Sequence, residues 1–144
     1  MAALLTGDRA AAEDIVQDAF VGMGSRWQRW DDTAPAVRYL RACVLNGVRS
    51  WGRRRGLAGR LPVDRVQDQP AAEDEVLDRL RSERIAAVVR ELPERQREIV
   101  VLRYFGELTI TETAAQLGIS ESAVKSSAHR ALQTLAARWK AVDW

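Results

Sequence analysis

Cysteine is almost absent: Cys43 stands alone in 144 residues, which excludes a disulfide framework and a clustered zinc-ligand set. His129 is the single histidine, and no glycine-rich phosphate loop, metal-ligand spacing or nucleophile elbow accompanies it, so an enzyme reading finds little support. No apolar run approaches the length of a bilayer span, and the opening residues MAALLTGDRA lack the charged start and apolar stretch of a signal peptide. A cytoplasmic protein is the expectation. Strand-like alternation is missing as well, and apolar residues fall at helical intervals among abundant Ala, Leu, Arg and Glu. An all-α fold of one or two small domains follows, with no cofactor or metal expected and with Cys43 a small core residue.

What is present is segregated charge. The formal net charge is only +2, yet Arg38, Arg41, Arg49, Arg53, Arg54, Arg55 and Arg60 lie between Val37 and Leu61 with no acidic residue among them, while acidic residues predominate over Asp64–Glu91. Local charge of this kind marks a polyanion-binding surface better than the net value does.

The most informative stretch is TITETAAQLGISESAVKSSAHRALQTL, residues 109–135. Ile110, Ala114 and Leu117 recur at helical spacing, Gly118 suits a turn needing positive φ, and Ser120 is placed to cap a second helix. Ile119 and Val124 plug the angle between the two helices. Beyond the cap, Ala123, Val124, Ala128, Ala131, Leu132 and Leu135 are predicted to face inward, whereas Ser122, Lys125, Ser126, His129 and Arg130 lie outward. Hydrogen-bonding and cationic groups at the N-terminal half of such a helix are what a major groove requires. An ordinary helical corner with a solvated polar face is the competing reading.

Ahead of this motif, a first helix is predicted from its cap Asp8 to about Met23. Ala12, Ile15, Val16, Ala19, Phe20 and Met23 form its buried stripe, and Glu13, Asp14, Gln17 and Asp18 its acidic side. Gly22, Gly24 and Ser25 interrupt the pattern, and Trp27 and Trp30 follow beside arginines, either as core or as platforms for unpaired bases. A second helix over 34–55 carries Val37, Leu40, Val44, Val48 and Trp51 inward and Arg38, Arg41, Arg49 and Arg53 on a separate basic stripe, with Asn46, Ser50 and Arg54 alongside. Gly47 in its middle implies a bend or a close backbone approach. Gly56, Gly59, Pro62 and Pro70 then break the chain into a flexible linker over 56–71. From Ala72 a helix to about Glu91 is predicted to bury Leu77, Leu80, Ala87 and Val88. Pro93 opens the next one, through Ile99, Val100, Leu102 and Tyr104 to Gly106, and the helix-turn-helix completes a four-helix unit. Trp139 and Trp144 are packing or fraying residues at the end.

Three stretches, LLTGDRAAAEDIVQDAF, YLRACVLNGVRSWGRRR and ELPERQREIVVLRYFGELTITETAAQLGISESAVKSSAHRAL, make the whole chain resemble the sigma-70 superfamily of bacterial transcription initiation factors. The likeness is to its minimal two-domain extracytoplasmic-function group, with wording closest to actinobacterial members. It implies a front domain over 1–55 and a helix-turn-helix domain over 72–144, whose partners are core RNA polymerase, promoter DNA and an anti-sigma factor. By resemblance, Asp14, Gln17 and Asp18 dock on the polymerase. Trp27, Trp30, Arg38, Arg41, Asn46, Arg49, Arg53 and Arg54 recognise and open the minus-ten element, and Ser122, Lys125, Ser126, His129 and Arg130 read the minus-thirty-five duplex. Members of the group have about one more helix before LLTGDR. Met1–Leu5 therefore resembles only its tail, with the true start upstream or the protein truncated, and loss of that helix would expose Ile15, Val16 and Phe20. A stand-alone helix-turn-helix regulator is the alternative function.

Overall fold

The computed structural model describes residues 1–26, 29–58 and 73–141, and among them the secondary structure is helical with no strand. Trp27, Trp144 and all but the first three residues of the expected linker lie outside the described residues.

The N-terminal module comprises α1 (Ala2–Thr6), α2 (Arg9–Gly24) and α3 (Thr33–Ala58). The stretch expected to be only a remnant winds, from Ala2 through Thr6, into a helix of its own, with Ala2 and Leu5 buried. Gly7, at φ 68°, ends it, and the Asp8 carboxylate accepts the Ala11 N–H at 3.0 Å to start α2, as a helix cap should. Ala12, Ile15, Ala19 and Met23 are buried along α2, but Phe20 is 51 % exposed, contrary to the expected stripe. Ile15 is covered because α3 comes up against it at Gly47, where a Cβ would stand 2.7 Å from Ile15 Cγ2. Phe20 lies beyond that crossing. The close approach at Gly47 is the alternative that the structure selects, and Cys43 packs beside it as a half-buried core residue.

α3 extends to Ala58, three residues past its expected end, and it buries more than one stripe. Val44, Leu40, Val48 and Trp51 pack towards α2, whereas Leu45, at 2 % exposure, faces a different core. Val37, expected inward, is exposed near the start of the helix.

The C-terminal module holds α4 (Glu73–Arg90), α5 (Glu94–Val100), a single π-helical turn over Val101–Phe105, α6 (Ile110–Leu117) and α7 (Glu121–Ala141). Pro93 sits immediately before α5, where its missing N–H costs nothing. In α4 it is Val89 that is buried, while Ala87 is exposed and Val88 half-buried. Leu77 and Leu80 have side chains outside those described. After the π turn Gly106 has negative φ and is needed for space, since a Cβ there would meet the Leu102 carbonyl oxygen at 2.8 Å. Glu107 takes the left-handed conformation instead, at φ 55°. Leu132, expected inward, is 43 % exposed, and with Ile85, Tyr104, Phe105 and Trp139 it lines a shallow apolar groove of about 310 Å³.

The two modules share a core. Leu5 and Leu45 from the first pack with Val89, Leu92, Val100, Val101, Leu102, Leu108 and Ala131 from the second. Arg97 Nη1 reaches across to donate to the Leu5 carbonyl at 3.3 Å, while Nη2 holds the Leu92 carbonyl at 2.9 Å.

Helix α3 yields a paired stability prediction. Gly47→Val forces a branched side chain against Ile15 and should destabilise the fold by about 1–3 kcal/mol. Gly52→Ala, in the same helix with nothing within 4 Å of the new Cβ, should stabilise it by up to about 1 kcal/mol. Urea midpoints of the two variants moving in the same direction would contradict the packing described.

Candidate nucleic-acid interface

The helix-turn-helix is built by local hydrogen bonds around a small core of its own. Ile99, Ala114 and Val124 are buried at its centre, with Ile110, Leu117, Ile119 and Ala128 packed against them. A capping box starts α6: the Thr109 hydroxyl accepts the Glu112 N–H at 3.1 Å and the Glu112 carboxylate accepts the Thr109 N–H at 2.7 Å. The T-x-x-E spacing carries that signal in the sequence, although the expectation above rested on the later residues alone. Gly118 has φ 66°, as its turn position requires. Ser120 Oγ then accepts the Ala123 N–H at 3.2 Å, so the second helix starts where the sequence places its cap. The Thr111 hydroxyl donates to Glu121 at 2.7 Å, bracing the turn from outside.

α7 presents Ser122, Lys125, Ser126, His129 and Arg130 as exposed side chains along one face. The Ser126 hydroxyl donates to the Ala123 carbonyl at 3.2 Å, and His129 Nε2 lies 3.0 Å from Gln133 Nε2. Lys125 and Arg130 are the cations of this face.

The basic residues of α3 do not form one free surface. Asn46, Arg53 and Arg54 are exposed, and Arg53 Nη2 donates to Ser50 Oγ at 2.9 Å. Arg49 is instead turned onto the C-terminal module, where its Nε and Nη2 donate to Glu98 at 2.6 and 3.1 Å. The Glu98 side chain is 4 % exposed and also accepts from Arg95 at 3.0 Å. The hydrogen bond that Arg49 donates to Glu98 raises the Arg49 pKa above the ordinary arginine value, against the opposing effect of burial. The expected grouping of Arg49 with an outward basic stripe therefore needs correction: Arg49 lies one turn from Leu45, on the flank that meets the second module. Arg38 is exposed but also engaged, its Nη2 donating to the Ala115 carbonyl of α6 at 3.1 Å while Gln116 donates back to the Arg38 carbonyl at 3.2 Å.

At the Arg38 bracket lies an open cleft of about 1050 Å³, lined by Trp30, Tyr39 and Arg41 from the first module and by Leu108, Glu112 and Gln116 from the second. Trp30 is half-buried and tilts against Tyr39 at a ring separation of 5.4 Å, so its packing role is real, and its buried indole N–H has no partner. On α2, Asp14, Gln17 and Asp18 are exposed together with Glu13, which pairs with Arg9 at 2.9 Å. Among the described residues no group of acidic, His or Cys side chains is arranged to hold a metal ion, and no helix is long and apolar enough to cross a membrane.

An all-helical pair of modules, one with an arginine-rich long helix and one with a polar, cationic helix-turn-helix, is the architecture of a class of DNA-binding proteins. Comparison with known proteins makes the class specific. Residues 1–58 match the family model for sigma-70 region 2 and residues 82–135 that for sigma-70 region 4. The RNA polymerase sigma-E factor of Streptomyces coelicolor is 35 % identical, the match covering 91 % of this chain and 73 % of that protein. The ECF RNA polymerase sigma factor SigL of Mycobacterium tuberculosis is 33 % identical over 91 % of this chain and 76 % of its own length. Among solved structures, CnrH in complex with the cytosolic domain of CnrY superposes with a TM-score of 0.68 at 29 % identity, covering 99 % of this chain and 80 % of that one. The fold is shared too with the sigma factor RpoE from Bartonella quintana, solved with the anti-sigma factor NepR, at a TM-score of 0.76, 23 % identity, and coverage of 99 % of this chain and 89 % of that one. The chain belongs to the sigma-70 family of RNA polymerase sigma factors, in its extracytoplasmic-function group, and is a promoter-recognising initiation factor. Paired region 2 and region 4 matches leave the stand-alone regulator without support. Sigma factors are as a family not enzymes.

The capping box makes α6 sensitive to acid. The backbone hydrogen bond from Thr109, then that of its hydroxyl, holds Glu112 below the usual carboxylate range. A depressed carboxylate contributes above its unfolded-state value and loses that contribution as pH falls through the folded one. The Thr109 amide resonance should therefore titrate with a midpoint below that of an ordinary glutamate, and a midpoint at the ordinary value would show the box to be unformed in solution.

Proposed function

We propose that the two modules divide promoter recognition between paired and separated DNA while one of them grips polymerase, with residues 1–55 and 72–144 as the working units and residues 56–71 joining them. The α7 face supports the first half of this reading. Its five side chains stand exposed at the N-terminal part of a helix whose opposite side is anchored in the core by Val124 and Ala131. In that setting Lys125, His129 and Arg130 supply base-edge and phosphate contacts to a minus-thirty-five duplex, and Ser122 and Ser126 add hydrogen bonds.

On the front module, the exposed Asn46, Arg53 and Arg54 are the first candidates to contact phosphates and bases of a melted minus-ten element, with Arg38, Arg41, Arg49 and Trp30, and by family resemblance Trp27, as further candidates. Opening costs unstacking and unpairing energy, and captured bases and neutralised phosphates offset it, with no covalent step. Asp14, Gln17 and Asp18 on α2 form the docking face for core RNA polymerase, where carboxylates pair with arginines in a bidentate manner. A protein that works with polymerase on promoter DNA acts in the cytoplasm. An anti-sigma partner belongs to the same reading, and it gains support from the likeness to CnrH, a protein solved with a cytosolic protein domain bound.

The reading is tested by run-off transcription with purified core polymerase on genomic promoter fragments. Lys125→Ala and Arg130→Ala should each weaken promoter binding by about 1–3 kcal/mol, with binding to core polymerase retained. Asp14→Ala combined with Gln17→Ala should lower affinity for core polymerase and leave duplex binding intact. If both sets of changes impaired only DNA binding, the proposed allocation would be wrong.

A further inference from the structure

We propose that Glu98 is an internal competitor of promoter DNA: its carboxylate occupies Arg49 as a phosphate would, so in the free chain Arg49 is withheld from the separated strand while the duplex-reading helix stays open. This rests on the proposed function, which gives the α3 arginines to the separated strand.

The competition has a chemical basis. A carboxylate and a phosphate offer the same pair of oxygens to a guanidinium fork, and Arg49 meets Glu98 with two nitrogens at 2.6 and 3.1 Å. One guanidinium cannot grip both acceptors in this way. The closure is also reinforced at the other end of α3, where Arg38 is bound to the Ala115 carbonyl and Gln116 is bound to the Arg38 carbonyl. Between the two brackets the shared core holds Leu45 against the C-terminal module.

The asymmetry is what makes the arrangement a device. Lys125, His129 and Arg130 are exposed in the closed form, whereas two α3 arginines are committed to the other module. The free protein is thus ready for duplex DNA first. Strand capture by Arg49 requires that the ion pair break, and Arg95 prepares for this, because it remains on the Glu98 carboxylate at 3.0 Å and keeps a buried charge from being stranded.

Fluorescence anisotropy on the full chain separates the alternatives, using a labelled 20-mer of oligothymidine and a labelled duplex of the same length at low salt. Glu98→Gln keeps the shape of the side chain and removes its charge, and it should raise affinity for the single strand about fivefold with duplex affinity unchanged. Arg95→Gln, at a half-exposed position, leaves Glu98 to Arg49 alone and should lower single-strand affinity while sparing the duplex. Arg53→Ala with Arg54→Ala tests the underlying reading, since these exposed residues should lose single-strand binding whatever the state of the ion pair. If that double variant binds the strand as the parent does, the assignment of α3 to separated DNA fails. If it weakens as expected but Glu98→Gln leaves the strand affinity at the parental value, the competitor is overturned and the assignment survives. Circular dichroism reports whether Glu98→Gln is folded. Should it not be, Arg95→Gln decides alone, and an unchanged strand affinity or an equal loss on strand and duplex overturns the proposal.

Discussion

A buried carboxylate is the constraint on which the arrangement of the two modules turns. Glu98 lies between Arg97 and Ile99 on α5, with its side chain 4 % exposed, and an isolated charge at such a position would cost several kcal/mol. It is met by Arg95 one turn earlier on its own helix and by Arg49 from α3, so that neutralising one residue of the second module recruits the long helix of the first. Hydrophobic burial reinforces the same contact, since Leu45 precedes Arg49 on α3 by about a turn and enters the shared core with Leu92, Val101 and Leu102. The ion pair sets register and orientation, and the apolar contacts supply the bulk of the attraction.

The helix-turn-helix solves its problem locally. Its core of Ile99, Ala114 and Val124 contains no residue of the first module, and its two turns are closed by Thr109, Glu112, Gly118 and Ser120, all within reach along the chain. This local closure lets α7 keep its polar face in solvent while α5, beneath it, takes part in the contact with α3. One element thus serves both a recognition unit and a domain contact through different sides.

The same distinction decides what the sequence reveals. Gly118, Ser120 and Val124 were legible because turn chemistry and helical spacing act over a few residues, and they fall at φ 66°, at a cap and at 0 % exposure. The Asp8 cap and the outward face of α7 were legible for the same reason. Arg49 was not, because its partner is 49 residues away and a guanidinium on a basic helix looks alike whether it faces water or a carboxylate. Leu45 was missed beside Val44, since a single-stripe reading of α3 admits only one of two adjacent apolar residues, and both are buried because the helix packs on two sides. Phe20 and Leu132 failed in the opposite sense: each has the right spacing, but helical period says nothing of whether a neighbour covers that turn.

Charge segregation gains a different meaning from this geometry. A chain of net charge +2 that gathers seven arginines between Val37 and Leu61 would ordinarily attract any polyanion. Here the back module supplies internal acceptors for part of that charge, a carboxylate for Arg49 and a backbone carbonyl for Arg38. Arg53 and Arg54 remain exposed towards the end of the helix. An initiation factor must reach its promoter through a large excess of non-specific DNA, to which exposed cations bind with little discrimination. Holding arginines on internal acceptors until the modules part weakens that background binding, and it ties the availability of the strand-binding surface to a rearrangement that polymerase and promoter together can stabilise.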